Sequence, residues 1–75
     1  MDPYSKVAIG RVLRTRRKRV GLTLLEAAQA VGVSRASFGR LEQGKRALHV
    51  DALPTLAVAL ELAGPLDLLH LIEQE

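Results

Sequence analysis

The sequence predicts an all-α fold, a compact domain of five short helices. Leucine, alanine and valine dominate a hydrophobic fraction of 48%, and no stretch alternates polar and apolar residues as a half-buried strand does. Glycines and helix-capping residues divide the chain at short intervals, which keeps the helices short. With 75 residues and no cysteine, we expect one domain over residues 1–75 that is stabilised by packing alone.

The first helix is bounded by its capping residues. Asp2 followed by Pro3 is typical of a helix start, because the aspartate accepts a free backbone N–H and proline has none to lose. Gly21 is the residue type that most often follows a helix end. We therefore expect a first helix from this Asp-Pro pair to about Arg19, with the strongly basic segment RTRRKR (14–19) in its last turns.

The next two helices are joined by a very short turn. Thr23 and Glu26 have the spacing of a capping box ahead of LLEAAQAV, and Gly32 is placed to end that second helix. A serine starts the third helix, residues 34–43, and Gly44 closes it. Because so few residues separate the two helices, they must cross steeply, which is the geometry of a helix-turn-helix.

Two further helices complete the predicted domain. Asp51 is expected to cap a fourth helix that carries Pro54 in its first turn, where proline costs no hydrogen bond, and continues to Gly64. Pro65 is expected to open a fifth helix, PLDLLHLIEQE. We see no linker, internal repeat or low-complexity segment, so the sequence indicates a single compact unit.

Charge is distributed very unevenly along the chain, although the net charge is only +3. Residues 1–23 hold seven basic residues and one acidic residue, and residues 24–50 hold four and two. Residues 51–75 hold five acidic residues and no Lys or Arg. This division indicates that the first two thirds of the chain face a polyanion, whereas the last third serves another purpose.

The third helix carries a basic face that is flattened by small residues. On a helical wheel, Phe38 and Leu41 fall on the side expected to be buried. The opposite side holds Arg35, Ala36, Gly39, Arg40 and Gln43. Glycine in a helix interior costs about 1 kcal/mol relative to alanine, and this cost is useful only on a face that approaches another surface closely. The alternative is a solvated basic face with an incidental glycine.

The segment TLLEAAQAVGVSRASFGRLEQGKR (23–46) resembles the helix-turn-helix of the phage repressor and Cro family, the Xre-type regulators. The residues in register with that family's pattern are Thr23, Ala28, Gly32, Val33, Ser34, Glu42, Gly44, Lys45 and Arg46. LPTLAVALEL and PLDLL match the two helices that follow, so the resemblance covers about residues 9–72. It implies a five-helix, lambda-repressor-like fold that binds duplex DNA, usually as a homodimer, with the third helix in the major groove.

The resemblance assigns the flat basic face to base reading. Arg35 and Arg40 are expected to donate hydrogen bonds to guanine O6 and N7. Ala36 is expected to contact a thymine methyl group, and Gly39 to let the helix sit deep in the groove. The chain departs from the family at Leu24, where a glutamine that braces a phosphate or a base is common, so that contact is missing or replaced. The chain departs again at Gly39, where a small polar residue is usual in the family, so fewer side chains reach bases. Specificity is therefore expected to depend on the two arginines and on DNA shape.

Phosphate contacts are expected beside the base-reading face. The start of the second helix, with Thr23, suits a phosphate because its first backbone N–H groups lack helical partners. Lys45 and Arg46 follow the third helix and suit an adjacent phosphate. Ser37 is either a hydroxyl at the edge of the core or a phosphate donor. From the basic run of the first helix, Arg19 is expected to make a direct contact, while the rest forms a solvated face that adds a general field.

One charged pair is implied to be structural. In some members of the family an arginine at the place of Arg17 pairs with the glutamate of the E-x-G-K turn, which is Glu42 in this sequence. The resemblance therefore implies a bridge between the first and third helices. We expect this bridge to orient the phosphate contacts only indirectly, so that its mutation costs stability first.

The fifth helix is apolar around most of its circumference, because Asp67 and His70 alone interrupt its leucines and isoleucine before the last turn. A small monomer buries one side of such a helix, so the other side marks an interface. We expect residues 65–75 to pair two copies about a two-fold axis, which sets the recognition helices about 34 Å apart on palindromic DNA. The expected interface residues are Leu62, Leu66, Leu69 and Ile72. The alternative is that this helix only closes the core and frays at its end.

These observations favour a sequence-specific regulator of transcription, a homodimeric repressor that binds a palindromic operator. The alternative is an antitoxin of the same fold, which neutralises a toxin through its C-terminal surface and regulates its own promoter. RNA binding is less favoured, because Tyr4 and Phe38 are the sequence's two aromatic residues and form no platform on which bases stack.

Other functional classes lack their characteristic residues. His49 and His70 stand beside neither a nucleophile nor a cluster of metal ligands, so we expect no enzyme, no cofactor and no metal. No apolar run approaches the length of about 18 residues that spans a membrane, and the N-terminus lacks the apolar segment of a secretory signal. We therefore expect a cytoplasmic protein.

Overall fold

The computed structural model describes residues 4–74, and within that range the chain forms five α-helices and one 3-10 turn, with no strand. The helices are α1 (Lys6–Val20), α2 (Leu24–Val31), α3 (Arg35–Glu42), α4 (Leu53–Ala59) and α5 (Pro65–Gln74), and the 3-10 turn Val50–Ala52 precedes α4. The predicted all-α, five-helix fold is therefore confirmed. Across the same residues, none of the helices has the length and apolar character needed to cross a bilayer.

Local capping interactions bound α2. Thr23 Oγ1 accepts a hydrogen bond from the Glu26 N–H at 3.1 Å, and Glu26 Oε1 accepts one from the Thr23 N–H at 2.9 Å. The predicted capping box is thus present. Gly21 and Gly32 follow α1 and α2 with φ angles of 90° and 83°, a left-handed conformation that glycine adopts without steric cost.

The third helix is bounded as predicted to within one residue. Ser34 is its N-cap, because Ser34 Oγ accepts a hydrogen bond from the Ser37 N–H at 3.0 Å. The helix ends at Glu42, one residue earlier than predicted, with Gln43 as its C-cap. The turn between α2 and α3 is therefore as short as the helix-turn-helix geometry requires.

The first helix begins later than the sequence predicts. Ser5 is its N-cap, since its hydroxyl accepts a hydrogen bond from the Ala8 N–H at 3.2 Å. The helix therefore begins at Lys6, and the predicted Asp2–Pro3 start lies outside the described residues. Serine and aspartate cap helices about equally well, so capping preference alone does not choose between the two starts.

The fourth helix is shorter than predicted at both ends. Asp51 lies in the 3-10 turn, and no side chain caps α4. The helix ends at Ala59 instead of continuing to Gly64. The reason is that Glu61 adopts a left-handed φ of 59°, which a right-handed helix cannot contain. Pro54 does lie in the first turn, as predicted.

A largely aliphatic core holds the five helices together. Phe38 is completely buried, and Leu41 lies beside it on the predicted inner side of α3. The other buried members of the core are Val12, Leu13, Ala27, Ala28, Leu56, Leu60, Leu68 and Ile72. Every helix therefore contributes to one continuous core, as a domain of this size requires.

Two glycines bring α3 unusually close to α1. A Cβ atom on Gly10 would lie 2.6 Å from the Glu42 carbonyl oxygen and still closer to that of Leu41. Gly44, whose φ is 75°, packs in the same way on α1, where a Cβ would lie 2.8 Å from Val7 Cα. These contacts fix the position of α3 on α1, and hence the direction in which its outer face points.

Candidate nucleic-acid interface

The outer face of α3 forms an open, shallow depression on the surface of the protein. The six residues that line it, which we call the recognition surface, are Leu24, Arg35, Ala36, Gly39, Arg40 and Gln43. The structure thus brings together all four residues that were predicted to contact bases. It adds Leu24, the first residue of α2, where the sequence indicates a missing or replaced contact.

Gly39 contributes open space to the recognition surface. A Cβ atom placed on it would meet only Leu24 Cδ2, at an ordinary van der Waals distance of 3.6 Å. Gly10 differs in this respect, because its missing side chain is needed for α1 to pack against α3. Within residues 4–74 no packing requires glycine at position 39, so its missing side chain leaves room for what approaches from outside.

The recognition surface is cationic and carries no acidic side chain. Arg35 is exposed, and its guanidinium has no hydrogen-bond or ion-pair partner within residues 4–74. Arg40 is also exposed, with one long hydrogen bond of 3.5 Å from Nη2 to Ser37 Oγ. A guanidinium presents a planar fork of donors that matches guanine edges and phosphates, so both side chains are available for such contacts.

Three of the residues predicted to contact phosphates lie next to Arg40. Ser37 is half-buried and lines a small depression together with Arg46. The Lys45 N–H donates a hydrogen bond to the Arg40 carbonyl at 2.9 Å, which folds the segment after α3 against its last turn. The side chains of Lys45 and Arg46 are exposed. Three cationic side chains therefore lie at this end of α3.

The start of α2 keeps two unpaired N–H groups, those of Leu24 and Leu25, as far as the described residues show. Together with Thr23 they form the arrangement of donors that binds anions at a helix N-terminus. Hydrogen bonds from Thr23, chiefly from its backbone N–H, hold the pKa of Glu26 below its ordinary value. A carboxylate therefore lies beside these donors and offsets part of their attraction for a phosphate.

Arg17 connects α1 to α3 and to the segment just before α2. Its Nε lies 2.6 Å from Glu42 Oε2 and its Nη2 lies 3.1 Å from Oε1, which is a bidentate pair. Its Nη1 donates a hydrogen bond to the Leu22 carbonyl at 2.9 Å. The two charged side chains are only 11% and 6% exposed, and the hydrogen bond with Glu42 raises the pKa of Arg17. The structure thus brings together the predicted pair, Arg17 and Glu42. It adds a hydrogen bond from Arg17 to the Leu22 carbonyl, just before α2.

Two arginines of the basic run lie on the α5 side of α1. Arg19 lines a small depression with Leu71 of α5. The structure therefore does not place Arg19 beside the other residues that were predicted to contact phosphates. Arg16, expected on a solvated face, donates hydrogen bonds from Nε to the Leu60 carbonyl at 3.0 Å and from Nη2 to the Glu61 carbonyl at 3.5 Å. Carbonyls at a helix end need partners, and Arg16 supplies them after α4.

The residues predicted for a dimer interface differ in exposure. Ile72 is only 1% exposed and belongs to the core, so the prediction that it contacts a second copy is corrected. Leu66 is 77% exposed, and Leu62 and Leu69 are half-buried. The core-facing residues of α5 are Leu68 and Ile72, which lie four residues apart and hence on one side of the helix.

Comparisons with known proteins agree with this geometry. A family profile described as a helix-turn-helix domain matches residues 8–71. Comparison with the curated proteins gave no significant match.

Solved structures resemble the chain over most of its length. Two crystal structures of the clp gene regulator ClgR from Corynebacterium glutamicum are similar with TM-scores of 0.82 and 0.84, each at 30% identity. These alignments cover 97% and 99% of this chain and 94% and 78% of the ClgR chains. The restriction-modification controller protein C.AhdI from Aeromonas hydrophila is similar with a TM-score of 0.76 and 32% identity, over 84% of this chain and 94% of its own. This chain therefore belongs to the helix-turn-helix family of DNA-binding transcription regulators, of the Xre type that its sequence resembles.

Proposed function

We propose that this protein is a homodimeric repressor that binds a palindromic operator with α3 in the major groove. The observation that carries this proposal is the recognition surface, where two exposed arginines flank a glycine that no internal packing requires. In this proposal Arg35 and Arg40 read guanines, Ala36 contacts a thymine methyl group, and Gly39 allows close approach. The protein acts by binding rather than by catalysis, in the cytoplasm of a cell whose DNA it regulates.

Phosphates on either side of the groove hold the protein in register. Thr23 and the unpaired N–H groups at the start of α2 bind one phosphate. Lys45 and Arg46, which are exposed after α3, bind another, and Ser37 lines a small depression with Arg46. Such contacts carry no sequence information but set the orientation in which the arginines meet the bases.

A dimer forms through the exposed side of α5 in this proposal. Leu66 is 77% exposed, and Leu62 and Leu69 keep part of their surface in contact with solvent. The protein measures 29 × 27 × 23 Å along its principal axes. Successive major grooves on one face of DNA are about 34 Å apart, a distance comparable to the size of one protomer, so two copies side by side suit adjacent half-sites.

An antitoxin is the second candidate function, and one observation favours it. Residues 51–75 hold five acidic residues and no Lys or Arg, and Leu66, in the same segment, is 77% exposed. An acidic segment with an exposed leucine suits a basic protein partner through opposite charge. Analytical ultracentrifugation of the protein alone and of Leu66→Glu distinguishes the two. A dimer that becomes monomeric in the variant supports self-association, whereas a monomer in both supports a foreign partner.

DNA binding itself is tested by fluorescence anisotropy. A labelled duplex from upstream of the protein's own gene is titrated beside a scrambled duplex of equal length, at several salt concentrations. We expect binding at least about 10³-fold tighter to the first duplex. Equal affinities that fall steeply with salt for both duplexes would contradict sequence-specific regulation and leave only a general attraction to DNA.

A further inference from the structure

Two consecutive residues of α1 hold the two parts of the fold that a DNA-binding dimer needs. Arg17 bonds to Glu42 at the end of α3. Arg16 donates hydrogen bonds to the Leu60 carbonyl at 3.0 Å and to the Glu61 carbonyl at 3.5 Å, in the turn that leads from α4 to α5. Successive residues of a helix point about 100° apart. The first helix therefore holds α3 on one side and the start of α5 on another.

The turn between α4 and α5 (residues 60–64) has a backbone conformation that needs support. Glu61 adopts a left-handed φ of 59°, which is unfavourable for any residue with a side chain. Such conformations persist where surrounding contacts hold them. Arg16 supplies such contacts, because its guanidinium bonds to two successive carbonyls of this turn from a separate helix. Without that guanidinium, the turn is free to change the angle at which α5 leaves it.

Apolar packing alone specifies the orientation of α5 poorly. Leu68 and Ile72 attach it to the core, but the helix is apolar around most of its circumference, and apolar attraction has no preferred direction. Hydrogen bonds do have a preferred direction. Arg16 is half-buried and also lines a small depression with Leu71 of α5. It therefore contacts both the turn before α5 and the helix itself.

We propose that Arg16 is a positioning residue that sets which spacing of DNA half-sites the dimer accepts. This inference rests on the proposed homodimer and names the residue that fixes its geometry on DNA. In a two-fold dimer joined through α5, the angle between α5 and α1 enters twice, once in each protomer. One inserted base pair moves a half-site by about 3.4 Å and turns it by about 35° around the DNA axis. A dimer with fixed α5 helices cannot follow that change.

The experiment begins with selection of bound duplexes from a random DNA pool, which supplies the half-site sequence and its spacing. Labelled duplexes then carry two half-sites at the selected spacing, or with one base pair inserted or deleted between them, beside a duplex with a single half-site. Fluorescence anisotropy measures the affinity for each duplex. For the wild type we expect a change of one base pair to weaken binding at least about tenfold, because a rigid dimer no longer contacts both half-sites at once.

Arg16→Met removes the guanidinium and keeps an apolar stem against α5. We expect it to reduce the penalty for a change of one base pair to less than about threefold. The matched control is Arg14→Met, which removes the same charge from the same helix. Arg14 lies on nearly the opposite side of α1. It is exposed, and its side chain makes no hydrogen bond or ion pair within residues 4–74.

The two variants are expected to differ in spacing preference alone. Arg14→Met should keep the wild-type penalty, and both variants should bind the single half-site with equal affinity, since each has lost one positive charge. Urea unfolding verifies that the variants are folded, and analytical ultracentrifugation verifies that they are dimers. If Arg16→Met does not fold, Arg16→Lys takes its place. It keeps the charge but lacks the planar fork of donors, so its penalty should also be smaller than that of the wild type.

The possible failures are distinguishable. A folded Arg16 variant whose penalty equals that of the wild type overturns the positioning role and leaves the proposed homodimer intact. A folded but monomeric Arg16 variant also overturns it, because Arg16 then serves association rather than spacing. A wild-type protein that is monomeric, or that binds every spacing equally well, overturns the proposed homodimer and this inference with it.

Discussion

Replacing Gly39 by alanine is expected to make the protein more stable and a weaker DNA binder. Alanine is favoured over glycine in a helix interior by about 0.8–1.0 kcal/mol. The φ of Gly39 is not positive, and the new Cβ would meet only Leu24 Cδ2 at 3.6 Å, so no strain opposes this gain. For a domain of this size, a gain of about 1 kcal/mol raises Tm by about 4–8 °C.

Gly10→Ala is the matched control, because it is the same substitution in another helix interior of the same chain. A Cβ on Gly10 would lie 2.6 Å from the Glu42 carbonyl oxygen, a backbone atom that moves only if α1 and α3 separate. Overpacking costs about 1–3 kcal/mol. We therefore expect the free energy of unfolding to fall in this variant, although its gain in helix propensity is the same.

Urea unfolding followed by circular dichroism measures the free energy of unfolding of both variants. Fluorescence anisotropy with a labelled operator duplex measures their affinity for DNA. The Gly39→Ala methyl group occupies space that α3 needs in the groove, so we expect operator affinity to fall about tenfold, within the usual 1–3 kcal/mol range of overpacking. A Gly39→Ala protein less stable than the wild type would contradict the conclusion that open space surrounds Gly39. A more stable variant that binds the operator as tightly as the wild type would contradict the proposal that α3 approaches DNA closely at Gly39.

Three further predictions concern charged residues. Arg17→Met is expected to lower the free energy of unfolding by about 3 kcal/mol, because it leaves the Glu42 carboxylate nearly buried without its partner. Changing both residues to methionine should lower it by less than the sum of the two single changes. Additive losses of stability in urea unfolding would contradict this coupling. Lys45→Ala is expected to weaken binding to operator and scrambled DNA alike and to reduce the salt slope of the affinity by about two, one for each half-site of the dimer. Arg19→Ala also removes one positive charge, but on the α5 side of α1, and should change the salt slope much less. Equal changes of the salt slope in the Lys45→Ala and Arg19→Ala variants would contradict this difference. The pKa of Glu26 is lowered in the folded protein by Thr23, so its contribution to stability is present above the unfolded-state pKa and is lost as the pH falls through the folded-state pKa. Glu26→Gln keeps an acceptor without a titrating group, so the acid-induced loss of stability should be smaller than in the wild type; an unchanged pH profile of urea unfolding would contradict this role.

The parts of the site that sequence predicted well depend on short-range chemistry. The capping box of Thr23 with Glu26 and the Ser34 cap each join groups three residues apart. Their geometry is therefore decided by the local sequence, and so are the ends of α2 and the turn to α3. The end of α4 is different, because Arg16 bonds to the Leu60 carbonyl from 44 residues away. No local pattern identifies that partner.

Local sequence was enough to predict the helix-turn-helix and the basic face of α3, because caps and helical periodicity act within a few residues. The different roles of two glycines depend on packing between helices: Gly10 is pressed against the backbone of α3, whereas Gly39 faces open space. The same packing buries Ile72 and leaves Leu66 exposed. A helical wheel arranges side chains around one axis, but which side meets the core depends on segments distant in sequence, and a helix that is apolar nearly all round carries no pattern that distinguishes its sides.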